Sequence, residues 1–252
     1  MRIISVISTK GGVGKTTVAI NLALALQNFN RKTAILDFNF TSPHVALYLN
    51  SIYFPKTLNN FLKNECRFEE IIYMHPSGLT IVPTSLRTED IVAVQDNLRQ
   101  IIMENLKDYE FVIIDSAPGL GREAMISLNS CQEAIFVANP DLASIFDVAK
   151  TYKLINNLPE RPIIWGIVLN KVKQKSYELS KEDVERYTGL PVLLTIKENN
   201  KFVESLNKRI PAYLFDSRIR EEFNLLASKV AGIPYEKESM VQKLLRILRL
   251  RK

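Results

Sequence analysis

The chain has 252 residues, 46% apolar and 24% charged, a composition typical of a globular protein with one large α/β domain or two small ones. Its two cysteines, Cys66 and Cys131, form no Cys-x-x-Cys motif, which argues against a disulfide scaffold or a thiol-ligated cluster and favours a reducing, cytoplasmic location. No run of 18 apolar residues exists and an apolar run begins at residue 3, so we expect neither a spanning helix nor a signal peptide.

The first predicted elements surround a glycine-rich segment. Residues 3–7 form a short apolar run, and residues 16–28 have a helical pattern. Between them, and including the first two residues of the helical pattern, is the segment Lys10-Gly11-Gly12-Val13-Gly14-Lys15-Thr16-Thr17. In a strand–turn–helix context, such glycines let successive backbone N–H groups converge on a phosphate, and the following helix adds the positive end of its dipole. We therefore predict that these residues bind a nucleotide, with Lys15 reaching the outer phosphates and the Thr16 hydroxyl binding Mg²⁺.

This loop departs from the common phosphate-loop pattern. Thr9 stands where a small residue, usually glycine, is expected, and an additional lysine, Lys10, precedes Gly11. The segment resembles the deviant loop of the MinD/ParA family of P-loop ATPases. The resemblance implies that Lys10 is catalytic and reaches the nucleotide of a partner subunit in a homodimer. A second cation near the transferred phosphoryl group would stabilise charge that develops in the transition state.

Apolar, β-branched runs then alternate with helical patterns. Strands are predicted at 33–37, 79–83, 111–115, 134–138, 163–169 and 192–196, and helices at 88–108, 121–131, 143–157, 176–187, 199–208 and 216–231. This alternation indicates a doubly wound α/β fold, with a mostly parallel sheet and helices on both faces. Ligands bind such sheets at the carboxyl ends of the strands. We expect one P-loop ATPase domain over residues 1–235.

The second strand ends at Asp37, followed two residues later by Asn39. The MinD/ParA pattern has Asp-x-Asp here, and the resemblance implies that Asp37 lies near Mg²⁺ and acts in catalysis. Asn39 replaces the second Asp, which would position or activate the attacking water. An amide can orient a water but cannot accept its proton as a carboxylate does. The replacement therefore predicts slow hydrolysis or a long-lived ATP-bound state.

The run Phe111-Val112-Ile113-Ile114 ends in Asp115. A buried strand that delivers a carboxylate to the sheet edge is how P-loop proteins hold Mg²⁺, so Asp115 joins Thr16 and Asp37 as a predicted metal ligand. The loop that follows, 116–121, resembles the Asp-x-x-Pro-Gly segment of the family, which implies that Gly119 contacts the γ-phosphate. Such a loop can change path when that phosphate is lost.

Two later segments also match the family. Asn139-Pro140 resembles the MinD branch, and Asp147 follows on a predicted helix. We interpret Asp147 as a solvated carboxylate, with an ion pair to Lys10 as the alternative. Asn170 resembles the asparagine that contacts the base, with Lys171 beside it. Lys173 occupies the position at which GTPases place a guanine-binding carboxylate, and since it only donates, adenine is favoured.

The last segment carries the charge asymmetry. Residues 240–252 hold five of the 33 Lys and Arg residues and no Asp or Glu, so most of the net charge of +6 lies there. On a helical wheel most aliphatic side chains of this segment fall on one face and most basic ones on the other. We predict that 236–252 is a basic amphipathic helix that binds an anionic membrane. The alternatives are a helix docked on its own domain and a nucleic-acid-binding tail.

Together these features predict a MinD-like ATPase. It binds ATP and Mg²⁺, dimerises in the ATP state, attaches reversibly to membrane and recruits or positions a protein partner. It would be cytoplasmic and peripherally membrane-associated. Two other functions stay open: a nucleotide-locked membrane scaffold with very slow hydrolysis, and a ParA-like DNA-partition ATPase. We do not expect a nucleic-acid partner, because outside the tail the chain is nearly neutral.

Overall fold

The computed structural model describes residues 1–51, 53–87 and 98–235. Its strands are β1 (Arg2–Ile7), β2 (Thr33–Phe38), β3 (Tyr73–Met74), β4 (Thr80–Val82), β5 (Phe111–Ser116), β6 (Glu133–Ala138), β7 (Ile163–Val172) and β8 (Val192–Lys197). They form one eight-stranded sheet in the order β3-β4-β2-β5-β1-β6-β7-β8. Neighbouring strands are parallel except for the β3–β4 pair, which is antiparallel. The predicted, mostly parallel sheet is confirmed.

Helices cover both faces of this sheet. They are α1 (Lys15–Asn28), α2 (Val45–Tyr48), α3 (Leu58–Leu62), α4 (Leu98–Asn105), α5 (Arg122–Ser130), α6 (Leu142–Asn156), α7 (Lys181–Thr188), α8 (Asn200–Asn207), α9 (Ala212–Phe215) and α10 (Ser217–Ala231). Apolar side chains of α1, α9 and α10 pack on one face, and those of α3 to α7 pack on the other. The doubly wound architecture explains why the strands carry apolar residues on both faces: Ile3 and Ile4 of β1 face opposite layers, and both are fully buried.

Helix α1 is anchored below the glycine-rich loop by one buried side chain. The Nδ2 atom of Asn21 donates to the carbonyl oxygen of Thr17 at 2.6 Å, and its Oδ1 accepts from the backbone N–H of Tyr213 at 2.6 Å. The amide thereby ties the first turns of α1 to the start of α9. Since α1 is buried on almost every side, the loop that precedes it has a fixed base.

Several element boundaries differ from the sequence prediction. The helix predicted at 176–187 begins instead at Lys181, because Ser180 and Asp183 form a capping box that fixes the start of the helix. Strand β7 continues beyond the predicted 163–169 to Val172, and the short elements β3, α2, α3 and α9 were not predicted. Residues 88–97 of the predicted helix 88–108 and the predicted tail helix 236–252 lie outside the described residues. Among the described helices, none is long and apolar enough to cross a membrane.

Candidate nucleotide-binding site

The loop between β1 and α1 has a backbone path that requires glycine. Gly12 and Gly14 have φ angles of +76° and +96°, in the left-handed region that other residues rarely adopt. A Cβ atom at Gly14 would overlap the Nδ2 atom of Asn170, so a side chain there would also displace that amide. The carbonyl oxygen of Gly14 accepts from the N–H of Val18 at 3.0 Å and begins α1 directly after the turn.

Two side chains from the end of β7 hold this loop. The Nδ2 atom of Asn170 donates to the carbonyl oxygen of Val13 at 2.7 Å, and the Nζ atom of Lys171 donates to that of Gly12 at 2.6 Å. The sequence predicted that both residues bind the nucleotide. It did not predict that they hold the glycine-rich loop. Lys171 also lines the cavity described below. Contact of Asn170 with the base stays a prediction.

Asp37 and Asp115 lie side by side at the carboxyl edge of the sheet, where they face each other in the register of β2 and β5. The backbone N–H groups of Asn39, His44 and Val45 donate to Asp37 at 3.1, 2.9 and 3.0 Å. Burial of this carboxyl group, and next the charge of Asp115, raise the pKa of Asp37 to about 7. Two carboxylates this close and this buried repel each other unless a proton or a cation lies between them.

Lys15 supplies part of the compensating charge. Its Nζ atom donates to Oδ1 of Asp115 at 2.7 Å, and the side chains of both residues are buried. The other oxygen of Asp115, Oδ2, is buried and has no hydrogen-bond partner among the described residues. An oxygen in that situation costs free energy unless it gains a ligand.

These groups fit a bound Mg²⁺. It prefers oxygen ligands and usually binds through one or two carboxylates plus waters and substrate phosphates. Asp37 and Asp115 supply two carboxylates, and Thr16, which lines the cavity, supplies a hydroxyl. Within the described ranges, no group of three or more His, Cys, Asp or Glu residues is arranged to hold a metal. A metal at this edge would therefore depend on phosphate oxygens, which is the arrangement expected of a nucleotide-dependent site.

Gly119 and Asn39 lie in the two loops that follow β5 and β2. The N–H of Gly119 donates to the carbonyl oxygen of Ser8 at 2.8 Å, and its φ of +81° is again left-handed. The Oδ1 atom of Asn39 accepts from the N–H of Ser42 at 3.3 Å, and the side chain lines the same cavity as the glycine-rich loop. The amide is thus held by its own loop, at the position where the sequence predicts a residue that orients water.

Lys10 is paired with a side chain of α6. Its Nζ atom lies 3.4 Å from Oδ2 of Asp147, and the two side chains are 41% and 42% exposed. The ion pair that the sequence offered as the alternative is therefore the contact observed, although Asp147 is also open to solvent. A half-exposed pair at this distance contributes little to stability, so Lys10 can be released at small cost.

A cavity of about 880 Å³ lies against the glycine-rich loop and the loops that follow β2 and β5. Its lining includes the predicted Lys10, Gly11, Gly12, Gly14, Lys15, Thr16, Thr17, Asn39 and Lys171. Sequence reasoning missed other lining residues: His44, Tyr48, Arg122, Glu123, Phe202, Val203 and Leu206. The apolar residues come from α8, which follows the last strand at the carboxyl edge, and that position was the available signal for them. A volume of this size suits a small-molecule ligand such as a nucleotide.

Comparison with known proteins agrees with this geometry. The CobQ/CobB/MinD/ParA nucleotide binding domain matches residues 4–212, most of the chain. The chain belongs to this family. Its members include the MinD and ParA ATPases, which are P-loop enzymes, so the predicted MinD/ParA resemblance is confirmed.

Several known proteins are similar to this chain over nearly its full length. An uncharacterized ATP-binding protein of Methanocaldococcus jannaschii is 29% identical over 252 residues, covering 96% of this chain and 95% of its own. The septum site-determining protein MinD of Thermotoga maritima is 25% identical, with coverage of 94% and 91%. The structure of MinD complexed with Mg-ADP from Pyrococcus horikoshii has a TM-score of 0.85 and 30% identity, with coverage of 91% and 95%. Nucleotide and Mg²⁺ binding are therefore properties of the family.

Proposed function

We propose that this protein is an ATP hydrolase that dimerises when ATP and Mg²⁺ bind, attaches reversibly to an anionic membrane, and recruits or positions a protein partner. One observation supports the nucleotide site above all others: the glycine loop and Lys15 line a single cavity, and Lys15 pairs with Asp115, one of two buried carboxylates that lie side by side. The similarity to MinD complexed with Mg-ADP points to the same ligand class.

In this site each group has a distinct role. The backbone N–H groups of 11–17 bind phosphate oxygens, and Lys15 exchanges its pairing with Asp115 for the outer phosphates. Thr16, Asp37 and Asp115 hold Mg²⁺, which when bound neutralises charge on the phosphate oxygens. Asn39 orients the attacking water by hydrogen bonds without accepting its proton. The adenine base lies near Asn170 and the apolar side chains of α8.

The proposed dimer interface lies beside Lys10. Leu142 and Phe146 of α6 are 63% and 67% exposed and, four residues apart, share one face of the helix next to Asp147. An exposed apolar face adjoining the Lys10 ion pair is suited to contact with a second copy. On dimerisation Lys10 would leave Asp147 and reach the nucleotide of the partner.

A matched pair of substitutions tests this interface. Phe146→Asp should abolish ATP-dependent dimerisation in light-scattering chromatography while leaving nucleotide binding intact. Ile163→Asp is the control, because Ile163 is 68% exposed but lies at the start of β7, at the opposite edge of the sheet. If Phe146→Asp dimerises as well as the unmodified protein does, the interface lies elsewhere.

Membrane attachment is proposed for residues 240–252. Tyr235, the last described residue, packs against Phe29 just beyond the end of α1, with ring centroids 5.7 Å apart. Since α1 has 14 residues at ~1.5 Å each, the tail leaves the domain about 20 Å from the glycine loop. Two tails on one dimer would bind together, and avidity can raise affinity ~10²–10⁴-fold.

Vesicle sedimentation tests the anchor. The full chain should pellet with anionic vesicles only when ATP and Mg²⁺ are present, and a chain ending at Glu236 should stay in the supernatant. Neutral vesicles are the control for charge, since each basic residue near an anionic surface contributes ~1 kcal/mol. Equal pelleting of the shortened chain would refute the proposed anchor.

Asn39 supports a second candidate, a membrane scaffold with almost no turnover. Phosphate release should be slow even with vesicles present, and Asn39→Asp should accelerate it, because a carboxylate can both orient water and accept its proton. A general base typically adds 10²–10⁴-fold, although loose phosphoryl transfer depends on it less, so we expect about a 10-fold gain. Fast release that Asn39→Asp leaves unchanged would exclude the scaffold.

A further inference from the structure

Four cationic side chains line the nucleotide cavity: Lys10, Lys15, Arg122 and Lys171. The three lysines each have an acceptor inside the protein. Lys10 and Lys15 pair with carboxylates at 3.4 and 2.7 Å, and Lys171 donates to a backbone carbonyl oxygen at 2.6 Å. Within residues 1–51, 53–87 and 98–235, the guanidinium of Arg122 has neither an ion pair nor a hydrogen bond. It is the cavity cation that the described part of the protein does not neutralise.

The carboxylate next to Arg122 in sequence is engaged by another loop. Glu123 accepts from the Oγ1 atom of Thr41 and, at 3.4 Å, from its backbone N–H. Thr41 belongs to the loop after β2 that also carries Asn39. These contacts join the loop after β2 to the first turn of α5 at the cavity rim, and they direct the Glu123 carboxylate toward Thr41. Arg122 therefore keeps its full positive charge at the cavity wall.

Arg122 lies beside the loop at which we expect the terminal phosphate of a bound nucleotide. It is the first residue of α5 and follows the 116–121 loop directly. A Cβ built on Gly119 in that loop, or on Gly11 in the glycine loop, would meet no atom within 4 Å. Open space thus lies beside both loops, and Arg122 extends from the end of one of them. A guanidinium presents a planar fork of donors that matches two phosphate oxygens at once.

We propose that Arg122 contacts the γ-phosphate of the nucleoside triphosphate bound by its own chain and thereby makes the site prefer triphosphate over diphosphate. The inference rests on the proposed ATP site and adds a positioning and recognition residue to it. Lys15 holds phosphates that ATP and ADP share as well as the outer one. Arg122 contacts only the phosphate that hydrolysis removes, so this contact would be absent when ADP is bound.

Binding measurements without turnover test this role. Affinities for ADP and for the slowly hydrolysed analogue ATPγS, each with Mg²⁺, should be measured at protein concentrations below dimerisation. Arg122→Ala should weaken ATPγS binding by roughly 10- to 100-fold, the range of a charge-assisted contact, and change ADP binding by less than about 2-fold. Arg122→Lys should recover part of the loss. Arg218→Ala is the control, since Arg218 is also exposed in the first turn of a helix, α10.

The outcomes separate this inference from the function on which it rests. If Lys15→Ala weakens both nucleotides while Arg122→Ala weakens neither, the site stands and the role of Arg122 is refuted. Equal loss of ADP and ATPγS in Arg122→Ala also refutes it, because the contact would not be with the terminal phosphate. A loss seen only at concentrations that permit dimers refutes contact within one chain. If Lys15→Ala binds both normally, the proposed nucleotide site itself is wrong.

Discussion

The amino and carboxyl edges of the sheet, where the parallel strands begin and end, differ in how their polar groups are paired. At the amino edge, the guanidinium of Arg2 donates to Glu133 and to the carbonyl oxygen of Val230, and it lies 4.9 Å from the ring of Trp165. The indole N–H of Trp165 donates to the same glutamate. The charged and polar groups of these three side chains therefore all have partners inside the protein.

At the carboxyl edge, by contrast, buried charged groups lack partners within the described part of the chain or lie close to a like charge. Asp115 Oδ2 is buried and has no partner among the described residues, and the pKa of Asp37 is raised to about 7. Gly12 and Gly14 hold left-handed backbone angles. The comparison shows one edge arranged for stability and the other arranged to gain stability from a ligand. Substitutions at the first should change folding, and those at the second should change binding.

The largest effect is expected from Gly14→Ala. Alanine would have to adopt a backbone angle that is unfavourable for it, and its Cβ would overlap the Nδ2 atom of Asn170. We expect nucleotide affinity to fall about 100-fold, since strain of ~1–3 kcal/mol adds to a displaced loop. Calorimetric titration with Mg-ADP measures it.

Gly189→Ala controls for backbone strain alone. Gly189 ends α7 with a φ of +69° and has no atom within 4 Å of its Cβ position. The substitution should lower the free energy of unfolding by about 1 kcal/mol and leave nucleotide affinity unchanged. If Gly14→Ala binds as well as Gly189→Ala does, the loop geometry does not control binding.

Arg2→Ala tests the amino edge. It leaves the largely buried Glu133 without its cation, so we expect the free energy of unfolding to fall by about 2 kcal/mol. Nucleotide affinity should stay within 2-fold of the original, roughly the size of measurement error in such titrations. Denaturant unfolding and nucleotide titration of the same sample measure both. A large loss of affinity would show that the two edges are not independent.

Asp37 predicts a pH dependence of the nucleotide-free protein. Its pKa rises from 3.8 to about 7 on folding, so between these values the folded state binds the proton that the unfolded state has lost. This group therefore lowers stability as pH rises, by about 2 kcal/mol from pH 5 to pH 7. Asp37→Asn should remove that part of the pH dependence, measured as the difference between two unfolding curves. Identical pH dependence in both proteins would contradict the raised pKa.

Much of the fold and site was predictable because the signals are local. Buried parallel strands such as β5 are apolar on both faces until their last residues, and Lys15 follows its strand through a run of glycines. Since strand ends share one edge, Asp37 and Asp115 could be assigned to the same site before their register was known.

What sequence could not supply depends on long-range contacts. The sequence offered the Lys10–Asp147 pair only as an alternative, because the pair joins a loop to a helix 137 positions later and nothing local distinguishes Asp147 from other exposed acids. The short strand β3 forms only because it pairs antiparallel with β4 at the sheet edge. Arg122 belongs to no local motif either. Its proposed role could be inferred only after the structure showed that the three lysines in the cavity lining already have acceptors.

Titration of Mg-ATP into the protein and into Lys15→Ala tests the central claim most directly. The account predicts one Mg-ATP bound per chain, weaker binding when Mg²⁺ is chelated, and a loss of at least about 100-fold in Lys15→Ala, because that ammonium makes several charge-assisted contacts with phosphate. Circular dichroism of the variant verifies its folding. Absence of binding to the unmodified protein, or equal affinity in a folded Lys15→Ala, would contradict the assignment of this cavity to a nucleoside triphosphate.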